Sequence, residues 1–145
     1  MPKFTLSENT DITDPYYNKD VWCRMTIPTV PGTYNYEVYD DGFVNVKMVA
    51  ILEGKRPDDD EWKLIGNVGV DSGLIGIFDN KPDMTVDEWV KFAGHLDNDG
   101  YSVWAINFGT GDGVFCSSGY GDGSYPVYGV KNEDGKYYAI SIQLV

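Results

Sequence analysis

The chain has few of the residue types from which hydrolytic and zinc sites are usually built. Its 145 residues include one histidine, His95, and two cysteines, Cys23 and Cys116. A single histidine excludes zinc sites that need several imidazole ligands, and it argues against a Ser-His-Asp triad. The cysteines do not form a CxxC pair, so we expect both to be reduced and to pack as small apolar side chains. A binding protein is therefore favoured over a conventional hydrolase.

Basic residues and long apolar runs are also scarce. Eleven Lys and Arg residues stand against 23 Asp and Glu residues, which gives a formal net charge of -12. This balance argues against binding to nucleic acid or to anionic lipid, because both favour a basic protein face. No stretch approaches the roughly 18 apolar residues of a membrane helix, and residues 1–8 lack the apolar core of a signal peptide. We therefore expect a soluble, cytoplasmic protein.

What the chain does contain is typical of a folded β protein. Hydrophobic residues make up 42% of the sequence and aromatic residues 14%, so the net charge does not indicate disorder. The 17 glycines lie mostly between short runs rich in Val, Ile, Tyr and Phe, a pattern that favours antiparallel strands joined by turns. Strand and helix patterns do not alternate. The sequence predicts a single mainly β domain, 1–145, folded as an antiparallel barrel or sandwich.

Two hairpins are the clearest local predictions. Residues 33–39 alternate, Asp41-Gly42 supplies a tight turn, and a second strand is predicted over 43–52. A C-terminal hairpin is predicted around the turn at 132–135. The other predicted strands lie at 62–65, 67–78, 101–108 and 114–118. The N-terminal segment 1–31, interrupted by prolines, is predicted to be irregular.

One short α-helix is predicted at about residues 86–96. Thr85 and Glu88 have the spacing of a capping box, in which each side chain satisfies a backbone donor at the helix start. Trp89, Phe92, Ala93 and Leu96 then give the helix one apolar face. We expect this face to pack across an open end of the sheet structure.

A glycine-rich pentapeptide occurs twice, as GTGDG at 109–113 and as GYGDG at 119–123. A dinucleotide site would need a helix after the glycines and a P-loop would need Lys-Ser or Lys-Thr, and neither follows here. The favoured interpretation is two tight Asp-Gly turns at one end of a sheet. The alternative is that Asp112 and Asp122 lie close together around a cation.

Three longer motifs, taken in order, resemble an uncharacterised family of small bacterial and phage proteins. The motifs are DPYY at 14–17, VDSGLIGIFD at 70–79 and SSGYGDGSYPVY at 117–128. The family is a domain of unknown function, so the resemblance implies a bacterial or phage source but no reaction. Its motifs supply the candidate residues for binding a ligand or partner: Asp14, Tyr16, Asp71, Ser72, Tyr120, Asp122 and Tyr125.

Each motif places an aspartate beside a Pro or Gly, and so beside a turn. If these turns meet at one end of the fold, the carboxylates could bind a cation or a basic group. The opposing and favoured interpretation is that each aspartate accepts backbone hydrogen bonds and fixes its own turn.

Three functions follow, in order of preference. The first is an acidic, non-enzymatic binding module that needs no cofactor and engages a basic protein surface, for example a phage-encoded inhibitor of a host nucleic-acid-binding protein. The second is a calcium or magnesium site, or a metal-dependent hydrolytic site, built from Asp14, Asp71, Asp112 and Asp122. The third is a homodimeric aspartic protease that uses Asp71 of its Val-Asp-Ser-Gly sequence. The sequence leaves the oligomeric state open.

Overall fold

A computed structural model describes residues 2–15, 24–80, 85, 87, 103–107, 111–119 and 121–145. These residues form two antiparallel sheets, of six and five strands, that are not closed and are consistent with a sandwich. The predicted mainly β class is therefore confirmed, and of the two predicted architectures the sandwich fits.

Eleven strands are defined within the described residues, and most are short. In chain order they are β1 (Lys3–Leu6), β2 (Asn9–Thr13), β3 (Arg24–Pro28), β4 (Gly32–Asp40), β5 (Asn45–Leu52), β6 (Lys63–Val70), β7 (Leu74–Asp79), β8 (Val103–Asn107), β9 (Asp112–Ser117), β10 (Gly123–Lys131) and β11 (Tyr137–Gln143). The strand order is β1-β4-β5-β11-β10-β6 in the six-stranded sheet and β3-β2-β7-β9-β8 in the five-stranded sheet.

The α-helix predicted at about 86–96 lies, apart from Asp87, outside the described residues. The described part of the chain contains one 3-10 turn, Asp59–Glu61, and no defined α-helical element. In those same ranges, no helix is long and apolar enough to cross a membrane.

Both predicted hairpins are present. β4 pairs with β5 around the Asp41-Gly42 turn, and β10 pairs with β11 around the turn that follows Lys131. The strand predicted over 67–78 is wrong as a single element, because β6 and β7 belong to different sheets. The chain changes sheet at residues 71–73, where Gly73 adopts a positive φ of 76° that a side chain would disfavour.

The prediction of an irregular segment over 1–31 is also wrong, since it contains β1, β2 and β3. Their partners are distant: β1 pairs with β4, and β2 pairs with β7. Long-range pairing leaves little signal in a five-residue strand that carries Thr and Asp. Pro28 is tolerated in β3 because β3 is an edge strand, where a missing backbone donor breaks no ladder.

The core lies between the sheets and receives alternate side chains from both. Buried aliphatic residues from β6 and β7 face it together, namely Val68, Val70, Ile75 and Ile77. Cys116 is buried there, as predicted, and burial raises the pKa of its thiol to about 12, so the thiol stays neutral near pH 7. Cys23 lies outside the described residues.

The face of the five-stranded sheet turned away from this core is also buried at β2 and β7. Asp11 and Phe78 are directly paired on these strands and point away from the core, yet neither is more than 1% exposed. Arg24 of β3 reaches the Asp11 carboxylate with two nitrogens, at 2.9 and 3.1 Å. This bidentate ion pair holds the edge strand β3 onto β2 away from water.

We expect Arg24→Leu to lower the free energy of unfolding by about 3–5 kcal/mol, because it leaves the Asp11 charge buried without its ion-pair partner. The exposed pair Lys3–Glu53, whose side chains are 47% and 52% exposed, provides the matched control. Lys3→Leu should cost less than about 1 kcal/mol. Urea denaturation measures both, and equal losses would show that the buried pair contributes no more than a surface pair.

Candidate functional site

Residues of all three sequence motifs meet at one end of the sandwich, which we call the motif end. It is formed by Asp14, by the β6–β7 turn at 71–73, and by the described residues of 117–123 between β9 and β10. Two strand pairings bring these segments together: Val70 pairs with Gly123, and Leu74 pairs with Ser117. These residues of the three motifs therefore share one end of the sandwich.

Asp14 fixes the β6–β7 turn. Its carboxylate is buried and accepts the backbone N–H groups of Asp71 and Ser72, at 2.8 and 2.6 Å. It also accepts the Ser72 hydroxyl at 2.6 Å. These three bonds satisfy donors at the point where the chain leaves one sheet for the other, so Asp14 joins the sheets.

Ser118 links the third motif to the same turn. Its backbone N–H donates to the Gly73 carbonyl oxygen at 3.0 Å, and its hydroxyl donates to the Gly121 carbonyl oxygen at 2.6 Å. Tyr125, a predicted binding residue, is buried, and its hydroxyl donates to the same Gly121 oxygen at 2.7 Å. Tyr125 therefore holds this loop in place.

Gly119 lets the loop lie directly against the C-terminal strand. Its N–H donates to the Leu144 carbonyl oxygen at 2.9 Å. A Cβ atom at this position would lie only 2.3 Å from that oxygen and 2.6 Å from the Asn45 carbonyl oxygen. This close approach, and not phosphate binding, is the physical reason for a glycine here.

Asp71 and Asp122 carry the exposed carboxylates of the motif end. Asp71 follows Val70 and Asp122 precedes Gly123, so they stand next to each other just beyond the Val70–Gly123 pair. The Asp122 carboxylate has no hydrogen bond or ion pair with any described residue. Exposed carboxylates at one end of the sandwich add to a negative local field, which favours a cationic group there.

The prediction that Asp112 joins Asp14, Asp71 and Asp122 in one metal site is wrong. Asp112 begins β9, whereas the motif end lies beyond the last residue of β9. Its carboxylate accepts the Thr5 N–H at 3.0 Å and the Asn107 amide at 2.6 Å. Within the described residues, no group of three or more His, Cys, Asp or Glu side chains is arranged to hold a metal ion.

Asp79 lies at the same end of the five-stranded sheet as Asp112 and has a matching role. It accepts the backbone N–H of Ser7 at 2.8 Å. Asp112 therefore occupies a donor on the free edge of β1 and Asp79 occupies the donor of Ser7 just after β1, which deters another strand from pairing there. Sequence reasoning missed this arrangement because the donors lie 72 and 107 residues from their acceptors.

The β4–β5 turn adds two further acids and one exposed aromatic ring to the motif end. The strand predicted from Phe43 begins instead at Asn45. Asp40 accepts the Gly42 N–H, and Asp41 accepts the N–H groups of Phe43 and Val44, each at 2.9 Å. These N–H bonds hold the pKa of the Asp41 carboxyl below its usual value. The turn is thus fixed with Phe43 83% exposed at its tip.

Two predicted binding residues, Tyr16 and Tyr120, lie outside the described residues. Ser72 is exposed, and its hydroxyl donates a hydrogen bond to the Asp14 carboxylate. The homodimeric aspartic protease built on Asp71 stays a prediction.

Comparison of the chain with protein-family models, curated proteins and solved structures found no match. The resemblance to the bacterial and phage family therefore also stays a prediction.

We expect Asp14→Ala to lower the free energy of unfolding by about 2–4 kcal/mol, because it removes the acceptor of two backbone N–H groups and one hydroxyl. Asp122→Ala, at an exposed carboxylate of the same end, should change it by less than about 0.5 kcal/mol. Chemical denaturation of the two variants beside the parent protein provides the comparison. Similar values for both would mean that Asp14 does not hold the turn.

Proposed function

We propose that the protein is an acidic, non-enzymatic binding module whose motif end engages a basic protein surface. The proposal rests on two exposed aspartates, Asp71 and Asp122, which flank the Val70–Gly123 pair on a framework held by hydrogen bonds. Their backbone positions are set by Asp14 and Ser118, so little conformational entropy is lost when a cationic side chain binds between them.

The distribution of charge along the sandwich supports this choice of surface. Exposed Asp40 and Asp41 accompany Asp71 and Asp122 at the end where β4, β6 and β11 finish. The described basic residues on that side are Lys47, which lies over the Tyr39 ring, and Arg24, which is buried against Asp11. Most other described basic residues lie toward the opposite end, namely Lys55, Arg56, Lys63, Lys131 and Lys136.

A basic partner is favoured over a metal ion on the geometry of the acids. Asp14 is committed to backbone donors and Asp112 lies at the other end, which leaves two exposed carboxylates where a calcium site uses six to eight oxygen ligands. Lys or Arg side chains, by contrast, can bridge two carboxylates at a surface. A nucleic-acid-binding host protein is one such partner, since the motif end would present carboxylates where DNA presents phosphates.

The test uses a fluorescein-labelled octa-lysine peptide as the probe, with binding followed by fluorescence anisotropy at about 20 and 200 mM salt. Asp71→Asn combined with Asp122→Asn should weaken binding about three- to tenfold at low salt, the size expected for two exposed charge pairs. Because salt screens exposed charges, the difference should shrink at the higher concentration.

The matched control removes two charges from the opposite end, with Glu133→Gln and Asp134→Asn in the β10–β11 turn. This variant has the same net charge as the motif-end variant and should bind the peptide nearly as well as the parent protein. Equal loss in the two variants would mean that the peptide senses only the net charge, and the proposed location would be abandoned.

A further inference from the structure

A groove runs along the outer face of β4 and β5, on the side of the six-stranded sheet opposite to the core. Its volume is about 510 Å³, and Val49 and Ile51 are the apolar strand residues that line it. Tyr39 lines the groove near the β4–β5 turn, and Lys55 and Arg56 line it at the other end. Half-buried aliphatic side chains in a groove of this size can receive an aromatic ring.

Phe43 supplies an aromatic ring at one end of the same hairpin. It is exposed in a turn that the Asp40 and Asp41 carboxylates fix, so it stands beyond the Tyr39 end of the groove. Exposed aromatic rings held on rigid turns are characteristic anchors of protein interfaces. The adjacent acids oppose insertion of this ring into an anionic membrane surface.

The charges at the two ends of the hairpin are complementary. Asp40 and Asp41 flank Phe43 at one end, and Lys55 and Arg56 flank the groove at the other. Lys55 also lies over the Tyr138 ring, 5.6 Å from its centre. Arg56 is exposed and has no hydrogen bond or ion pair with any residue in the described ranges.

We propose that two copies of the chain associate through the outer faces of β4 and β5, with Phe43 of each copy seated in the groove of the other beside Lys55 and Arg56. A twofold axis through the middle of the hairpin places the acidic tip of each copy over the basic end of its partner. The two symmetry-related contacts, each between the tip of one copy and the groove of the other, then form together. The assembly therefore closes as a dimer, as expected of a self-complementary surface.

This surface does not include Asp71 or Asp122, so the dimer can be tested separately from binding at the motif end. Sedimentation velocity over a range of protein concentrations should show a reversible monomer–dimer equilibrium. Phe43→Ser, and separately Lys55→Glu with Arg56→Glu, should each weaken dimerisation at least about tenfold.

Mixing the two kinds of variant gives the most specific result. In a dimer of either variant alone, both symmetry-related contacts are impaired. A mixed dimer retains one intact contact, because the Phe43 of the doubly charged variant meets the intact groove of Phe43→Ser. An equimolar mixture should therefore associate more strongly than either variant does alone. The control is Val103→Ser, which removes a side chain 40% exposed on β8 of the five-stranded sheet, and it should leave the equilibrium unchanged.

A parent protein that stays monomeric up to about 1 mM would overturn the proposal. So would equal weakening by Val103→Ser, or a mixture no stronger than its components, since either would place the contact elsewhere. At protein concentrations where the parent is monomeric, Phe43→Ser should bind octa-lysine as the parent does, because it keeps all four acids of that end, so loss of the dimer and loss of motif-end binding remain distinguishable.

Discussion

Hydrogen bonds from backbone N–H groups to aspartate carboxylates join the two sheets at both ends of the sandwich. At the motif end, Asp14 of the five-stranded sheet accepts the amides of Asp71 and Ser72, where the chain passes between sheets. At the other end, Asp79 and Asp112 accept amides of the segment that includes the edge strand β1. A backbone donor without a ladder partner needs another acceptor, and a carboxylate is a strong one. These bonds fix how the sheets face each other and therefore where every exposed side chain lies.

The acidic residues behind the net charge of -12 have different roles in the structure. Asp11 neutralises a buried arginine, and the inter-sheet aspartates bind backbone donors, so part of the acidity is needed for folding. Exposed carboxylates remain at both ends. Those of Asp58–Glu61, Glu133 and Asp134 share their end with most of the described basic residues, whereas Asp40, Asp41, Asp71 and Asp122 lie where described basic side chains are few. Their placement on fixed turns, more than the total charge, is the argument for a binding role.

Local patterns were enough to predict the β class and both hairpins, because the Asp41-Gly42 and 132–135 turns determine those pairings from adjacent residues. They failed at 71–73, because apolar residues continue on both sides of a turn that changes sheet. The GDG sequences at 111–113 and 121–123 look equivalent. The first stands where β9 begins, whereas the second comes after Ser117, the last residue of β9. The hydrogen bond that the Ser72 N–H donates to Asp14 joins residues 58 apart, so no local pattern could predict it.

Hydrogen exchange measured by NMR tests the role of Asp14 most directly. The amides of Asp71 and Ser72 donate to Asp14, so their protection reports on its carboxylate. We expect exchange at least about a thousandfold slower than in an unfolded chain, with this protection lost at both amides in Asp14→Ala while the strand amides stay protected. Exchange of these two amides at the unfolded rate in the parent protein would contradict it.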